Sequence, residues 1–415
     1  MSKGIPSSTD WKWVKLGDAC VVITGTTPPK SDPANYGTDI PFFKPPHLWD
    51  GLISETEEML SKKGSKLSRM VPPNTVLVTC IGNLGRTGFV KKNAAFNQQI
   101  NAILENNRII GKYIFYQAQS PMFRKQLESL ATGTTVSIVN KGNFETIEIP
   151  VPPIETQQAI VSKIEELFSE LDKGIESLKL AQQQLKVYRQ SVLKWAFEGR
   201  LTNEDVKEGE LPVGWKMISI EEIAKVGTGA TPLKSKSSYY GGTIPWVTSG
   251  ALNDEYVREA TDFVTERALK ETNLSVYPKH TLLIALYGEG KTRGKCSELL
   301  IEACTNQAIA AITLNVTNQY LKPYLKYFLL KNYDDIRKKS SGGVQPNLNL
   351  GIIKQLKFPL TPKDEQAIVV SQIENKLSVA DKMEESINQS LQQSEALRQS
   401  ILKRAFEGNL VKRFH

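Results

Sequence analysis

The chain has 415 residues, with 40% hydrophobic, 8% aromatic and 23% charged side chains and a formal net charge of +8. That length predicts two to four domains, and the apolar content is too high for a disordered chain. The longest apolar runs, such as Leu282-Leu283-Ile284-Ala285-Leu286, fall far short of the ~20 residues that cross a bilayer, and the polar residues 1–10 lack the core of a secretory signal, so a cytoplasmic location is expected. Cys20, Cys80, Cys296 and Cys304 form no C-x-x-C pair and read as buried free thiols. Three histidines, His47, His280 and His415, are too few and too scattered for imidazole catalysis or a metal site.

In chain order, alternating apolar positions at Trp13-Val14-Lys15-Leu16 lead into a Gly/Pro turn at Thr24–Pro29. A strand-like run follows at Thr75–Thr79, and a helical pattern at Tyr113–Leu130. Pro150-Val151-Pro152-Pro153 then stops the last strand. Beyond it apolar or small residues fall at Ile160, Ile164, Leu167, Leu171, Ile175, Leu178, Ala181, Leu185, Tyr188, Val192 and Trp195. Spacings of three and four sustained this long predict the seam of a coiled coil, closed by a C-cap at Gly199. The same order returns: strand-like Thr281–Ile284, a helical pattern at Tyr320–Lys339, a stop at Pro359–Pro362. A second stripe follows at Ile373, Leu377, Ala380, Ile387, Leu391, Leu397, Ile401 and Ala405, closed by Gly408.

The return is a duplication. Trp11-Lys12 recurs as Trp215-Lys216, and Gly25, Thr27 and Pro28 recur as Gly229, Thr231 and Pro232, at an offset of 204. Asn97 and Asn306 are 209 apart, and the eleven residues from Arg189 to Gly199 match Arg398 to Gly408 at nine positions. Two copies make a pseudo-dimer, whereas a solenoid needs at least three. The expected fold is therefore α+β: two pseudo-twofold-related α/β globules, residues 1–153 and 215–362, separated by an antiparallel coiled coil of two long helices, 154–199 and 363–408. Residues 200–214 form a linker and 409–415 a tail.

Lys and Arg exceed Asp and Glu by five in residues 1–153 and again by five in 209–362, whereas 154–208 and 363–415 carry −2 and 0. Two basic globules on a neutral rod suit a long polyanion touched at two places, and duplex DNA is the obvious one. Candidate contacts are a glycine-loosened cationic tip in each copy, Arg86, Lys91 and Lys92 in the first and Lys291, Arg293 and Lys295 in the second. Arginine forks onto guanine, and glycine lets backbone approach phosphate. Lys30, Lys141, Lys234 and Lys236 join the set, as do Gln345 and Asn347 in a Gly-rich segment that matches Thr132–Ser137. These segments serve equally well as turns, and Asn97-Gln98 and Asn306-Gln307, on strand patterns, suit buried backbone bonding or base contact. Ala285–Thr292 approximates a phosphate-binding loop, but Arg293-Gly294 follows where a helix must begin. No catalytic motif is present, so no enzyme activity and no cofactor are expected.

The helix starts at Pro153–Val161 and Pro362–Val369, with Glu365-Gln366-Ala367-Ile368 answered by Gln157-Gln158-Ala159-Ile160, together with the matched helix ends, resemble the specificity subunit of Type I restriction-modification systems. The resemblance covers essentially the whole chain. It implies that the globules are target-recognition domains, each reading half of an asymmetric bipartite site in double-stranded DNA. It implies that the helices fix the gap and dock two methyltransferase subunits, with Ile164, Leu171, Leu178, Leu185, Ile373, Leu391 and Ile401 marking the docking helices. Adenine-N6 methylation and ATP-driven cleavage by motor subunits would belong to the assembled complex. A coiled-coil scaffold binding two proteins is the alternative.

Overall fold

A computed structural model describes residues 11–133, 135–203, 205–207, 209–287, 292–338 and 348–410. It contains two units: unit 1 runs to Leu180 and resumes at Ile387, and unit 2 is Ala181–Ser386. No helix among the described residues is long and apolar enough to cross a membrane.

Unit 1 contains strands β1 (Lys12–Lys15), β2 (Val21–Thr24), β3 (Tyr36–Phe43), β4 (Gly51–Ile53), β5 (Met59–Leu60), β6 (Met70–Val71), β7 (Val76–Thr79), β8 (Thr87–Val90), β9 (Ala94–Phe96), β10 (Ile100–Leu104) and β11 (Glu148–Val151). Among the described residues they form a β1-β11 pair, a sheet ordered β2-β10-β7-β8-β4 and a sheet ordered β5-β3-β9-β6. The apolar run of β7 is buried at every residue because its two faces feed different cores. Val76 and Val78 enter one cluster with Phe89 and Ile103, while Leu77 enters another with Val90, Ile100 and Ala102, as the two-residue period of a strand requires.

Unit 2 repeats the plan with β12 (Lys216–Ser219), β13 (Ala224–Thr228), β14 (Tyr240–Val247), β15 (Tyr256–Val257), β16 (Asp262–Val264), β17 (Leu282–Ala285), β18 (Cys296–Leu299), β19 (Cys304–Thr305), β20 (Ile309–Leu314) and β21 (Lys357–Leu360). Its sheets are β12-β21, β13-β20-β17-β18-β15 and β16-β14-β19. Leu282 and Ile284 face one core and Leu283 and Ala285 the other. The single helical pattern expected at Tyr113–Leu130 is two helices, Gly111–Gln119 and Pro121–Ser129. Pro121 cannot continue a helix, and Ser120 caps the second one by accepting from Phe123 N at 3.3 Å. All four cysteines are buried free thiols, and burial pushes Cys80 up to about 12.

The long helices are Ile154–Phe197 and Lys363–Phe406, 44 residues each, or about 66 Å at 1.5 Å per residue. Gly199 and Gly408 both adopt φ 76°. Arg200 N then reaches Trp195 O at 2.9 Å, and Asn409 N reaches Arg404 O at 2.8 Å, the wrap-around that ends a helix on glycine. Within unit 1, Ile160, Ile164 and Phe168 share a core with Ile401, Leu402, Ala405 and Phe406. Farther along, Arg398 pairs with Asp172 and lays its guanidinium 4.3 Å over the Phe168 ring. Within unit 2, Ala196 and Phe197 share a core with Val369 and Ile373, and Arg189 bridges Asp381 at 2.6 Å and Glu384 at 2.9 Å. Covered positions in the first helix recur at Leu171, Ile175, Leu178, Gln182, Leu185, Arg189 and Val192, the three-and-four spacing of a narrow seam. Tyr188, Trp195 and Leu397, also expected in the stripe, are exposed.

Two expectations need correction. Gln157, not Gln158, is the counterpart of Gln366: Gln157 Nε2 donates to Pro152 O at 2.9 Å and Gln366 Nε2 to Thr361 O at 2.7 Å. Glu365 therefore answers to Thr156, and the consequence is visible at the paired tryptophans. Trp215 Nε1 donates to Glu365 Oε2 at 2.9 Å, whereas Trp11 Nε1 is buried without an acceptor among the described residues. Second, the residues expected to mark the docking helices are covered to different degrees. Ile164, Ile373, Ile401 and Leu185 are buried, and Leu171, Leu178 and Leu391 are partly covered. A stripe of the best-conforming apolar residues is what intramolecular packing consumes first.

Candidate nucleic-acid interface

The tip of unit 1 is the loop from Cys80 to Arg86 between antiparallel β7 and β8. Gly82 and Gly85 both take φ 78°, a conformation that costs an L side chain about 1–2 kcal/mol. Thr79 pins the loop from below, donating Oγ1 to Asn83 O at 2.6 Å and accepting from Arg86 N at 3.0 Å. Arg86 is exposed. Turned to present its oxygen, the Asn83 amide lies 3.1 Å from both Arg86 Nε and Nη2, which steadies the guanidinium while its outer edge faces solvent.

Three segments that the sequence presents separately meet at this tip. Cys80 N donates to Gln99 O at 2.8 Å, Gly82 N to Ser137 O at 2.9 Å, and Val139 N to Cys80 O at 2.8 Å. Unit 2 repeats the constellation: Leu286 N donates to Ala308 O at 2.7 Å and Leu348 N to Leu286 O at 3.3 Å. Asn97-Gln98 and Asn306-Gln307 lie in the turns between β9 and β10 and between β19 and β20, not within strands. Asn97 Oδ1 closes its turn on Gln99 N at 3.2 Å, and Asn306 Oδ1 closes the other on Ala308 N at 3.1 Å. Exposed Gln98 accepts from Thr27 Oγ1 at 2.6 Å, as Gln307 accepts from Thr231. With Oε1 occupied, each amide group keeps its NH2 for an outside acceptor.

The same contacts explain the repeated glycine. A Cβ on Gly25 would lie 2.2 Å from Asn97 O and 2.4 Å from Phe96 O, and one on Gly229 would lie 1.6 Å from Thr305 O. Gly25→Ala is expected to destabilise unit 1 by about 1–3 kcal/mol through overpacking and to displace the Gln98 turn. Thermal melting and amide exchange at Ile100–Leu104 would register both effects, and wild-type values would refute the packing argument.

Other expected contacts divide. Lys30 and Lys234 occupy equivalent turns and are exposed without an ion pair among the described residues. Lys91 and Lys92 are at the far end of β8, about 16 Å of strand away from Arg86, and Lys92 pairs with Glu55 at 3.0 Å. Sequence proximity grouped them with a tip that the strand separates from them. Lys141 is engaged by Glu145 at 3.3 Å. Lys236 is held by Glu271 at 2.7 Å and Tyr239 at 2.8 Å; hydrogen bonds from Lys236 and then from Arg267 and Tyr239 bring the exposed Glu271 carboxyl down to about 2. In unit 2, Arg293 O accepts from Arg337 Nη1 at 2.9 Å and Lys295 Nζ donates to Asn253 Oδ1 at 3.0 Å. Lys291, Gln345 and Asn347 lie outside the described residues. The segment resembling a phosphate-binding loop is followed by β18, a strand antiparallel to β17, so the helix amides such a loop needs are not there.

Residues 8–180 and 212–393 match the family profile described as "Type I restriction modification DNA specificity domain". The chain is 25% identical over 427 residues to the Type I restriction enzyme StySPI specificity subunit of Salmonella potsdam, covering 97% of this chain and 89% of that one. It is 25% identical over 334 residues to the MjaIX specificity subunit of Methanocaldococcus jannaschii, covering 78% and 76%. A solved chain reported under "complex assembly and conformational transition of the type I R-M system" superposes with a TM-score of 0.74 at 19% identity, over 99% of this chain and 100% of that one, which establishes the shared fold.

Proposed function

The chain belongs to the Type I restriction modification DNA specificity family, and from that premise we propose that residues 1–153 and 215–362 each read one half of an asymmetric, bipartite duplex site. The chain is the sequence-recognition subunit of its system, and the activities of the complex belong to other subunits. One observation carries the two-site reading: both units build the same three-segment constellation around a glycine-containing tip, on different surface residues. Shared scaffolding with divergent side chains is what two half-sites of different sequence demand.

The two 44-residue helices pair antiparallel as the spacer in this reading, supported by the seam spacing and by the Arg398–Asp172 and Arg189–Asp381 ion pairs inside their units. Two methyltransferase subunits dock on them, and motor subunits join through the complex. The apolar residues the helices leave exposed, Leu180, Val187, Ile368, Val379, Met383 and Leu397, suit that docking better than the covered seam does. The complex works in the cytoplasm and the chain needs no cofactor of its own.

Two linked readers gain affinity only when the spacer matches the span. Inserting four residues at matched positions of both helices is therefore expected to shift the preferred gap between half-sites, read by binding to duplexes with graded gaps. Equal affinity at every gap would reject the spacer role. Absence of any salt-sensitive duplex binding by the complex would reject DNA recognition and leave a protein scaffold.

A further inference from the structure

Trp49 is 67% exposed, the most exposed tryptophan of the described residues, yet its surroundings are rigid. On one side Leu48 is fully buried in the core of unit 1. On the other, Asp50 adopts φ 63°. Asp50 Oδ1 accepts from Thr87 N at 2.8 Å and Thr87 Oγ1 at 2.9 Å, and Oδ2 from Arg124 Nη2 at 2.7 Å, while Asp50 N donates to Thr87 O at 2.8 Å. The indole lies against Gly51, where a Cβ would come within 2.1 Å of Cζ3. Thr87 directly follows Arg86, so the loop carrying Trp49 is bolted to the tip.

Unit 2 braces the equivalent loop against its own tip through Asn253, whose Oδ1 accepts from Lys295 Nζ at 3.0 Å and Thr292 Oγ1 at 3.3 Å. The bracing recurs, but an aromatic side chain projects only from the first loop. A held indole loses little conformational freedom on binding, and base edges in the major groove offer an apolar partner in the thymine methyl group.

We propose that Trp49 is a specificity-determining residue that reads the half-site of unit 1 by apolar contact with a base edge, a thymine methyl being the fitting partner. This rests on the DNA-recognition reading above. The test is methylation-site sequencing in cells that carry the chain with the methyltransferase subunits of its own system, comparing wild type, Trp49→Ala, Trp49→Phe and Arg86→Ala, with melting temperatures of the purified variants.

Trp49→Ala is expected to relax one position of the half-motif that Arg86→Ala also relaxes, with discrimination there falling about tenfold and the other half unchanged, while Trp49→Phe retains most of it. An unchanged motif in Trp49→Ala overturns the proposal. So does loss of methylation with duplex affinity intact, which would assign Trp49 to a protein partner. If Trp49→Ala fails to fold, unchanged discrimination in Trp49→Gln, which keeps bulk but removes the apolar surface, overturns it equally. A wild type that yields no bipartite motif would instead bring down the recognition reading itself.

Discussion

Phe406→Ala is expected to destabilise unit 1 by about 3–5 kcal/mol, the usual cost of emptying a buried phenylalanine site. Phe406 is 1% exposed and its ring meets Tyr113 edge-on, centroids 5.3 Å apart. Tyr113 is itself fully buried and donates its hydroxyl to Pro150 O at 2.8 Å, so the site has little room to collapse. With Ile401, Leu402 and Ala405, the residue lies more than two hundred positions after the other buried members of its core. Amide exchange should therefore quicken throughout β7 and β10 while β17 and β20 keep their protection. Phe197→Ala should do the converse, because Phe197 packs on Tyr324 and Phe328 at 5.0 and 5.3 Å within unit 2. A Phe406→Ala protein whose lost protection is confined to residues 387–410 would show that the helix end is an appendage, not part of the core.

Arg86→Ala and Lys92→Ala should behave as opposites although both remove an exposed cation from the same unit. Arg86→Ala is expected to weaken discrimination at one base pair by about 1–3 kcal/mol, the worth of a forked contact to guanine. Lys92→Ala should leave sequence preference alone, since Lys92 is paired with Glu55 at the other end of β8. Competition binding over a library of single-base substitutions distinguishes the outcomes. If Arg86→Ala instead lowers affinity evenly over all sequences and reduces the salt slope by about 1, its partner is a phosphate.

The duplication, the boundaries of the long helices to within two residues and the strands around Thr75–Thr79 and Thr281–Ile284 were legible because each rests on a local pattern: repeated identity, proline and glycine stops, or a short β-branched run. The helical pattern after Tyr113 misled because Pro121 begins a helix as readily as it ends one. Asn97 and Gln98 misled because a tight turn between two apolar strands carries no glycine or proline to mark it. The charged tip was overdrawn for a different reason. Arg86 and Lys92 are only six positions apart, and only the sheet shows that an intervening strand carries them apart.

By itself the sequence determined that the chain is two copies of one unit, where the long helices start and stop, and the family to which the chain belongs, since periodicity, punctuation and self-similarity are properties of neighbours along the chain. Tertiary structure decided which residues stand together: the meeting of residues 80–86, 97–99 and 137–139 at one tip, the bolting of Trp49 to Thr87, and the burial of Phe406 beside Tyr113. Those pairings join positions tens to hundreds of residues apart. Backbone hydrogen bonds and buried rings select them, and neither leaves a mark in local composition.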